Sequence, residues 1–271
     1  MTIAKILKAA LEYSRKAVLE NLQRAAESTD SLNPFGDVTL AADILAEDEI
    51  IRVLHESGLG FNILTEERGL IEAESLPEFL AVVDPLDGSA NFERGLPLCC
   101  GGISVIPFSD QMTTDRIETS VISSYFTKDV YVAVTGKGVR RNGKSVSVAS
   151  PKHVEESVVS YDTKASWLGD FASGSLRVLG HVKDMRRAGS NLLDLCWTAC
   201  GVLDAMVDLR DILPIVHVSG THIVCEAGGF VIAANGSRLL LPLRIDCRMS
   251  FVAASTKELA REILRLFQGG R

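Results

Sequence analysis

No stretch of this chain approaches the roughly 20 consecutive apolar residues that a membrane-crossing helix needs, although 46% of its 271 residues are hydrophobic. A membrane partner is therefore not expected, and the apolar side chains are left to build a sizeable core in one large domain or two modest ones. Basic clusters are equally scarce. Nothing longer than Arg140-Arg141 or Arg186-Arg187 occurs and the formal net charge is −7, so the electrostatic footprint of a nucleic-acid binder is missing. The six cysteines, Cys99, Cys100, Cys196, Cys200, Cys225 and Cys247, include no pair with zinc-site spacing. Cys196 and Cys200 lie four apart in an apolar helical run and are expected to face one core as thiols, which predicts a reduced, cytoplasmic protein. The opening Met1-Thr2-Ile3-Ala4-Lys5 leads straight into an amphipathic pattern with no signal-peptide core. Internal repeats and low-complexity segments are absent as well.

What the chain does have is one dense stretch, Val82-Val83-Asp84-Pro85-Leu86-Asp87-Gly88-Ser89-Ala90-Asn91-Phe92. The apolar run from Phe79 to Val83 reads as a buried strand that stops at Asp84. Pro85 and Gly88 then force a turn that holds two carboxylates three positions apart. Asp87-Gly88-Ser89 reads as a helix entry whose unpaired amides face an anion. Oxygen ligands for a hard cation thus stand beside a donor nest for phosphate. A plain Asp-Pro/Asp-Gly turn capping a helix would look the same from this stretch alone.

Around it, Ile3, Ile6, Leu7, Ala10, Leu11, Ala17, Val18 and Ala25 follow helical spacing, and 28–36 reads as a polar loop. Gly36-Asp37-Val38-Thr39 opens a second helix reaching about Ser57. Thr39 and Asp43, four apart, would share one face near its start, either to hold or deprotonate a water or as an N-cap and a solvated acid. A short strand from Gly60 to Leu64 ends at Glu66-Glu67, and if it neighbours the strand ending in Asp84 the carboxylates converge, as a divalent ion requires. Further strands over 102–106, 121–125 and 130–134, with the Asn142-Gly143 turn, complete one sheet. Ser150-Pro151 marks a boundary between halves 1–149 and 150–271. In the second half, 158–161 and 176–179 are weakly patterned, 192–201 is an apolar helix, 205–207 a strand, and His222 to Gly229 a helix stopped by glycine before the strand Phe230 to Ala233. Met249 to Ala253 is a last strand, and Ser255-Thr256-Lys257-Glu258 is a capping box for a terminal helix.

Glu66-Glu67, then Asp84 to Phe92, then Gly189-Ser190, then Glu226-Ala227-Gly228-Gly229 together resemble the inositol monophosphatase superfamily of metal-dependent, lithium-sensitive phosphatases. The Gly36-Asp37-Val38-Thr39 entry is most similar to the archaeal inositol monophosphatase/fructose-1,6-bisphosphatase branch. The resemblance covers nearly the whole chain. It implies an α/β, layered α-β-α-β-α sandwich, a homodimer, and a site between the two halves acting on a small phosphorylated polyol or sugar. It implies two or three magnesium ions, with manganese or zinc as alternatives. Glu66, Asp84 and the Leu86 carbonyl would hold one ion, and Asp84 and Asp87 would share another. The Gly88 and Ser89 amides would take phosphate oxygens, and Ser89, with Thr39 or Asp43, would orient the attacking water. Gly189, Ser190 and Asp208 would touch the substrate's hydroxyl-bearing side. Ser89 stands where the family usually carries Thr and keeps the hydroxyl.

One ligand departs from the pattern. The family's last metal-binding Asp falls at Val216 when counted back from Glu226, or at His217 when aligned from Asp208, and the segment from Ile212 to Gly220 holds no carboxylate. His217 then stands either as a ligand that favours zinc, copper or nickel or as an ordinary helix-start residue, with Asp211 close enough to swing in. Two functions follow: a phosphomonoesterase with a remodelled metal set, or a non-catalytic relative that binds a sugar phosphate or a metal.

Overall fold

The helical spacing near the start of the chain resolves as α1 (Ile3–Glu20), which buries Ile6, Leu7, Ala10, Leu11 and Val18 on one stripe. A computed structural model describes residues 2–25, 27–36, 38–150, 153–163 and 169–270, so Met1, Asp37 and Pro151 of the motifs above lie outside the described residues. The first helix breaks at Asn21 rather than running through Ala25, which belongs to the short α2 (Leu22–Ala25). The expected loop at 28–36 is in part β1 (Ser28–Leu32), paired antiparallel with β2 (Val38–Leu40). α3 (Ala41–Glu56) therefore begins later than its sequence pattern suggests. Thr39 lies in β2, not on the helix face expected to carry it beside Asp43. Asp43 reaches back to the Leu40 amide at 2.7 Å, the third-position carboxylate of a capping arrangement.

β3 (Phe61–Thr65), β4 (Gly69–Ile71), β5 (Phe79–Asp87), β6 (Cys100–Pro107), β7 (Thr119–Ser124), β8 (Val130–Val134), β9 (Val139–Arg141) and β10 (Lys144–Val146) form one sheet in the order β10-β9-β8-β7-β6-β5-β3-β4. Asn142 and Gly143 turn β9 into β10 with φ of 50° and 81°, the left-handed pair that an Asn-Gly hairpin turn demands. Only β3 and β5 run parallel, with Thr65 level with Val83, so Glu66 and Asp84 leave the two strands side by side. β5 does not stop at Asp84. It continues to Asp87 through a bulge, where three steps along β5 (Asp84 to Asp87) match two along β6 (Gly102 to Cys100). Pro85, which has no N–H for a ladder, sits in that bulge. The one-turn α4 (Ser89–Glu93) follows.

The second sheet takes β11 (Val158–Tyr161), β12 (Asp184–Arg186), β13 (Ala205–Pro214), β14 (Phe230–Ala233) and β15 (Arg248–Ala254) in the order β12-β11-β13-β15-β14. Between these strands run α5 (Asp170–Leu179), α6 (Asn191–Ala199) and α7 (Val218–Glu226), and α8 (Lys257–Phe267) closes the chain. The weak pattern at 176–179 is the end of α5. Thr256 caps α8 by accepting the Leu259 amide at 3.2 Å.

Alternation along β5 sets the layers. Ala81 and Val83 pack with α1 and α3, whereas Leu80 and Val82 face the core shared with α6 and α7. On the far side of α6 and α7, Met206 and Phe251 close that core, and the other face of the second sheet packs Val207 and Val252 against α8. The result is an α-β-α-β-α sandwich. Cys196 and Cys200 both pack on the central core, and all six cysteines are free thiols. Glu226 serves the fold, since its carboxylate accepts the Gly136 and Gly138 amides at 2.9 and 3.4 Å and so pins the turn between β8 and β9.

The middle layer depends on close approach of α6 and α7. A Cβ on Gly220 would lie 2.9 Å from the Leu195 Cβ, inside van der Waals contact. Gly220→Val is therefore expected to cost about 1–3 kcal/mol by overpacking, read as a lower urea midpoint; an unchanged midpoint would show that the helices can separate freely.

Candidate active site

The parallel pairing of β3 and β5 delivers Glu66 and Asp84 to one end of the first sheet, and the bulge turns Asp87 back toward them. Asp84 is fully buried, and neither of its carboxylate oxygens has a hydrogen-bond partner. Leaving such a group unsatisfied is costly unless a cation occupies its field. Asp87 is held differently. Its Oδ2 accepts the Ser190 hydroxyl at 2.7 Å and the Leu192 amide at 2.6 Å, at the positive end of α6. Its Oδ1 lies 3.5 Å from the His217 Nε2, which is 3.3 Å from Asp84 Oδ2. His217 Nδ1 donates to the Pro214 carbonyl at 3.2 Å, so Nε2 is the atom turned to the carboxylates. Of the two residues that fit the missing Asp, the structure brings His217 to the cluster and buries Val216 in the apolar core. Asp211 is exposed and takes a left-handed φ of 59° in the irregular part of β13.

Burial raises the pKa of Asp84 well above the usual carboxylate range, and repulsion from Glu66, Asp87 and Asp43 adds to it. Burial likewise pushes Glu66 up to about 7, against the pull of His217. Asp43 is raised by burial and by the nearby Glu67. Among the described residues, Asp84, Asp87 and His217 present one donor atom each within 4.8 Å of one another. The orphaned Asp84 oxygens, the adjacent acids and the turned imidazole fit a divalent cation.

Two hydroxyls stand beside this cluster with their protons committed. Thr39 Oγ1 donates to Glu67 Oε2 at 2.5 Å. Ser89 Oγ lies 3.0 Å from both Asp43 Oδ1 and the Leu86 carbonyl, so its single proton serves those acceptors. Gly88 turns the chain into α4 with φ of 103°, and a Cβ there would fall 2.7 Å from the Leu98 carbonyl, so only glycine fits. Asn91 ties this turn to the second half by donating to Leu98 and Ala188 carbonyls at 2.7 and 2.8 Å.

A cavity of about 820 Å³ opens over these groups, with Asp43, Glu66, Asp87, Gly88, Ser89, Gly189 and His217 on its wall. Ser190 and Asp208, expected as substrate contacts, are fully buried and act one step back. Ser190 holds Asp87 and caps α6 through the Leu193 amide. Asp208 holds Arg210, at 2.5 Å. Sequence reasoning missed a further part of the cavity wall. There Asp162 Oδ1 receives Arg187 at 2.9 Å and Arg210 at 2.8 Å, and Arg248 stacks on Phe35 with 4.5 Å to the ring centre. The i, i+2 spacing of Asp208 and Arg210 on a strand was the one available signal.

The model of the inositol monophosphatase family matches residues 2–270. A fructose-1,6-bisphosphatase of Pyrococcus furiosus is 31% identical, over 88% of this chain and 86% of its own length. A fructose-1,6-bisphosphatase/inositol-1-monophosphatase of Methanothermobacter thermautotrophicus is also 31% identical, over 86% of this chain and 84% of its own. The crystal structure of an inositol monophosphatase–fructose 1,6-bisphosphatase superposes with a TM-score of 0.84 at 30% identity, covering 98% of this chain and 100% of that one.

The double duty of Ser190 generates a specific expectation. Ser190→Ala should cost about 1 kcal/mol of stability through the lost cap and weaken divalent-ion affinity by about 10–100-fold through the loosened Asp87, measured by urea unfolding and equilibrium titration. Loss of stability with unaltered ion affinity would reduce Ser190 to a capping residue.

Proposed function

The chain belongs to the inositol monophosphatase family, and on that premise we propose that it is a magnesium-dependent phosphomonoesterase hydrolysing a small sugar or inositol phosphate. The observation that carries the reading is the Asp84 carboxylate, buried and without a hydrogen bond on either oxygen, between Glu66, Asp87 and the His217 imidazole. Glu66, Asp84, Asp87, the Leu86 carbonyl and His217 would hold two or three ions. Bound there, such ions would lower the pKa of the attacking water and neutralise charge on the leaving alkoxide.

The chain's own groups supply the remainder. The Gly88 and Ser89 amides at the entry to α4 would take phosphate oxygens. Because the Thr39 proton goes to Glu67 and the Ser89 proton to Asp43 or Leu86, both hydroxyl oxygens are left as acceptors. They would accept hydrogen bonds from the attacking water and so orient its lone pair toward phosphorus. Gly189 would approach the substrate's hydroxyl-bearing side from the cavity wall, with Ser190 and Asp208 supporting from behind. Some relatives are named for fructose 1,6-bisphosphate, a substrate with two phosphates, and the part-exposed Arg187 on the same cavity wall would favour a second anionic group there. In this reading residues 1–149 bring the metal-binding motifs and residues 150–271 complete the substrate side of a cytoplasmic homodimer. No described helix is long and apolar enough to cross a membrane.

The test is phosphate release from inositol 1-phosphate and fructose 1,6-bisphosphate with magnesium, manganese and zinc titrated in turn. Turnover is expected, and Asp84→Asn should lower kcat by about 10²–10³-fold or more. A folded protein that binds ions and sugar phosphates without turnover would instead favour the non-catalytic relative.

A further inference from the structure

The carboxylates of the centre are ordinary hard-cation ligands, and His217 is not. Three observations bear on what it does. First, its Nδ1 is committed to the Pro214 carbonyl at 3.2 Å, the outer hydrogen bond that fixes an imidazole with Nε2 as the coordinating atom. Second, Nε2 stands 3.3 Å from Asp84 Oδ2 and 3.5 Å from Asp87 Oδ1. Ligand bonds of about 2.0–2.2 Å at tetrahedral or octahedral angles put neighbouring donor atoms roughly 3 to 3.5 Å apart. Third, Asp84 is fully buried and neither of its oxygens accepts a hydrogen bond from a protein N–H or O–H, which leaves its coordination capacity open to an ion.

The backbone supports that aim. His217 ends a 3₁₀ turn begun at Ile215 and opens α7, while its neighbours Val216 and Val218 are buried in the central core. These buried neighbours fix the backbone from which the ring projects into the cavity wall.

We infer that His217 gives the centre one mixed nitrogen–oxygen seat, formed with Asp84 and Asp87, that selects a zinc- or cobalt-like ion over magnesium. The seat formed by Glu66, Asp84 and the Leu86 carbonyl stays all-oxygen. The inference rests on reading the cluster as the phosphatase ion site, and it concerns which ion occupies one seat. Imidazole suits zinc, cobalt and nickel, whereas magnesium keeps oxygen ligands and gives up its water reluctantly. Replacing a carboxylate by a neutral ring also removes a negative charge that a strongly hydrated ion needs for capture.

Two measurements test it without relying on turnover. X-ray absorption at the zinc edge of the wild-type protein loaded with zinc should show imidazole scattering beyond the first shell. Calorimetric titration should show zinc and cobalt binding weakened by more than about tenfold in His217→Ala, and His217→Asp should bind magnesium several-fold more tightly than wild type. Zinc without imidazole scattering, or equal ion affinities in wild type and His217→Ala, would overturn the inference and leave His217 as a counter-charge to the two aspartates. If zinc is held through imidazole but no ion gives phosphate release, the seat stands and the phosphatase reading fails.

Discussion

A carboxylate buried with no hydrogen bond is the constraint on which this structure turns. Asp84 sits where a parallel pair of strands ends, with Glu66 emerging beside it and Asp87 folded back by a bulge. Three acids brought this close cannot all ionise out of water unless positive charge joins them. The fold supplies only part of that charge. The amide end of α6 serves one oxygen of Asp87, and one imidazole faces Asp84 and Asp87. What remains is a deficit of positive charge beside an open cavity, with the Ser89 hydroxyl and the Gly88 turn on its wall.

The two sheets divide the labour. The first provides acids and the phosphate-side turn from residues close in sequence, so their spacing is fixed by local geometry. The second provides constraint: Ser190 on Asp87, Ala188 on Asn91, and Pro214 on His217. Packing of α6 and α7 between the sheets couples these contributions. A change that loosens that middle layer reaches the site without touching a ligand.

The local half of the site was legible in the sequence because it is written in consecutive residues. Asp84 to Asn91 shows an apolar run, a breaker, paired acids and a glycine, and the Glu66 partnership followed from two strand ends. The four-residue spacing of Thr39 and Asp43 is helical, but pairing of β1 with β2 draws Thr39 into a strand, an override that periodicity does not reveal. Pro85 looked like a strand terminator, and a bulge accommodates it. The choice between Val216 and His217 depends on which side chain the 3₁₀ turn rotates toward the acids. Ser190 and Asp208 stand at positions that the family pattern assigns to substrate, whereas burial sets them behind Asp87 and Arg210. The Arg187–Asp162–Arg210 network joins residues from three separate segments, and only the i, i+2 spacing of Asp208 and Arg210 hints at it.

The most direct test of the charge deficit is chemical denaturation across pH with and without divalent ions. Burial holds Glu66 at about 7 against an ordinary value of 4.5, and Asp84 is shifted in the same direction. The native chain therefore keeps protons that the unfolded chain releases, so ion-free stability must fall as pH rises from about 4.5 through 7. A divalent ion that binds only the native centre should restore it. The account predicts a urea midpoint that drops between pH 5 and pH 8 in chelator and recovers at pH 8 on addition of magnesium or zinc. A midpoint that stays level with pH and ignores added ions would contradict it.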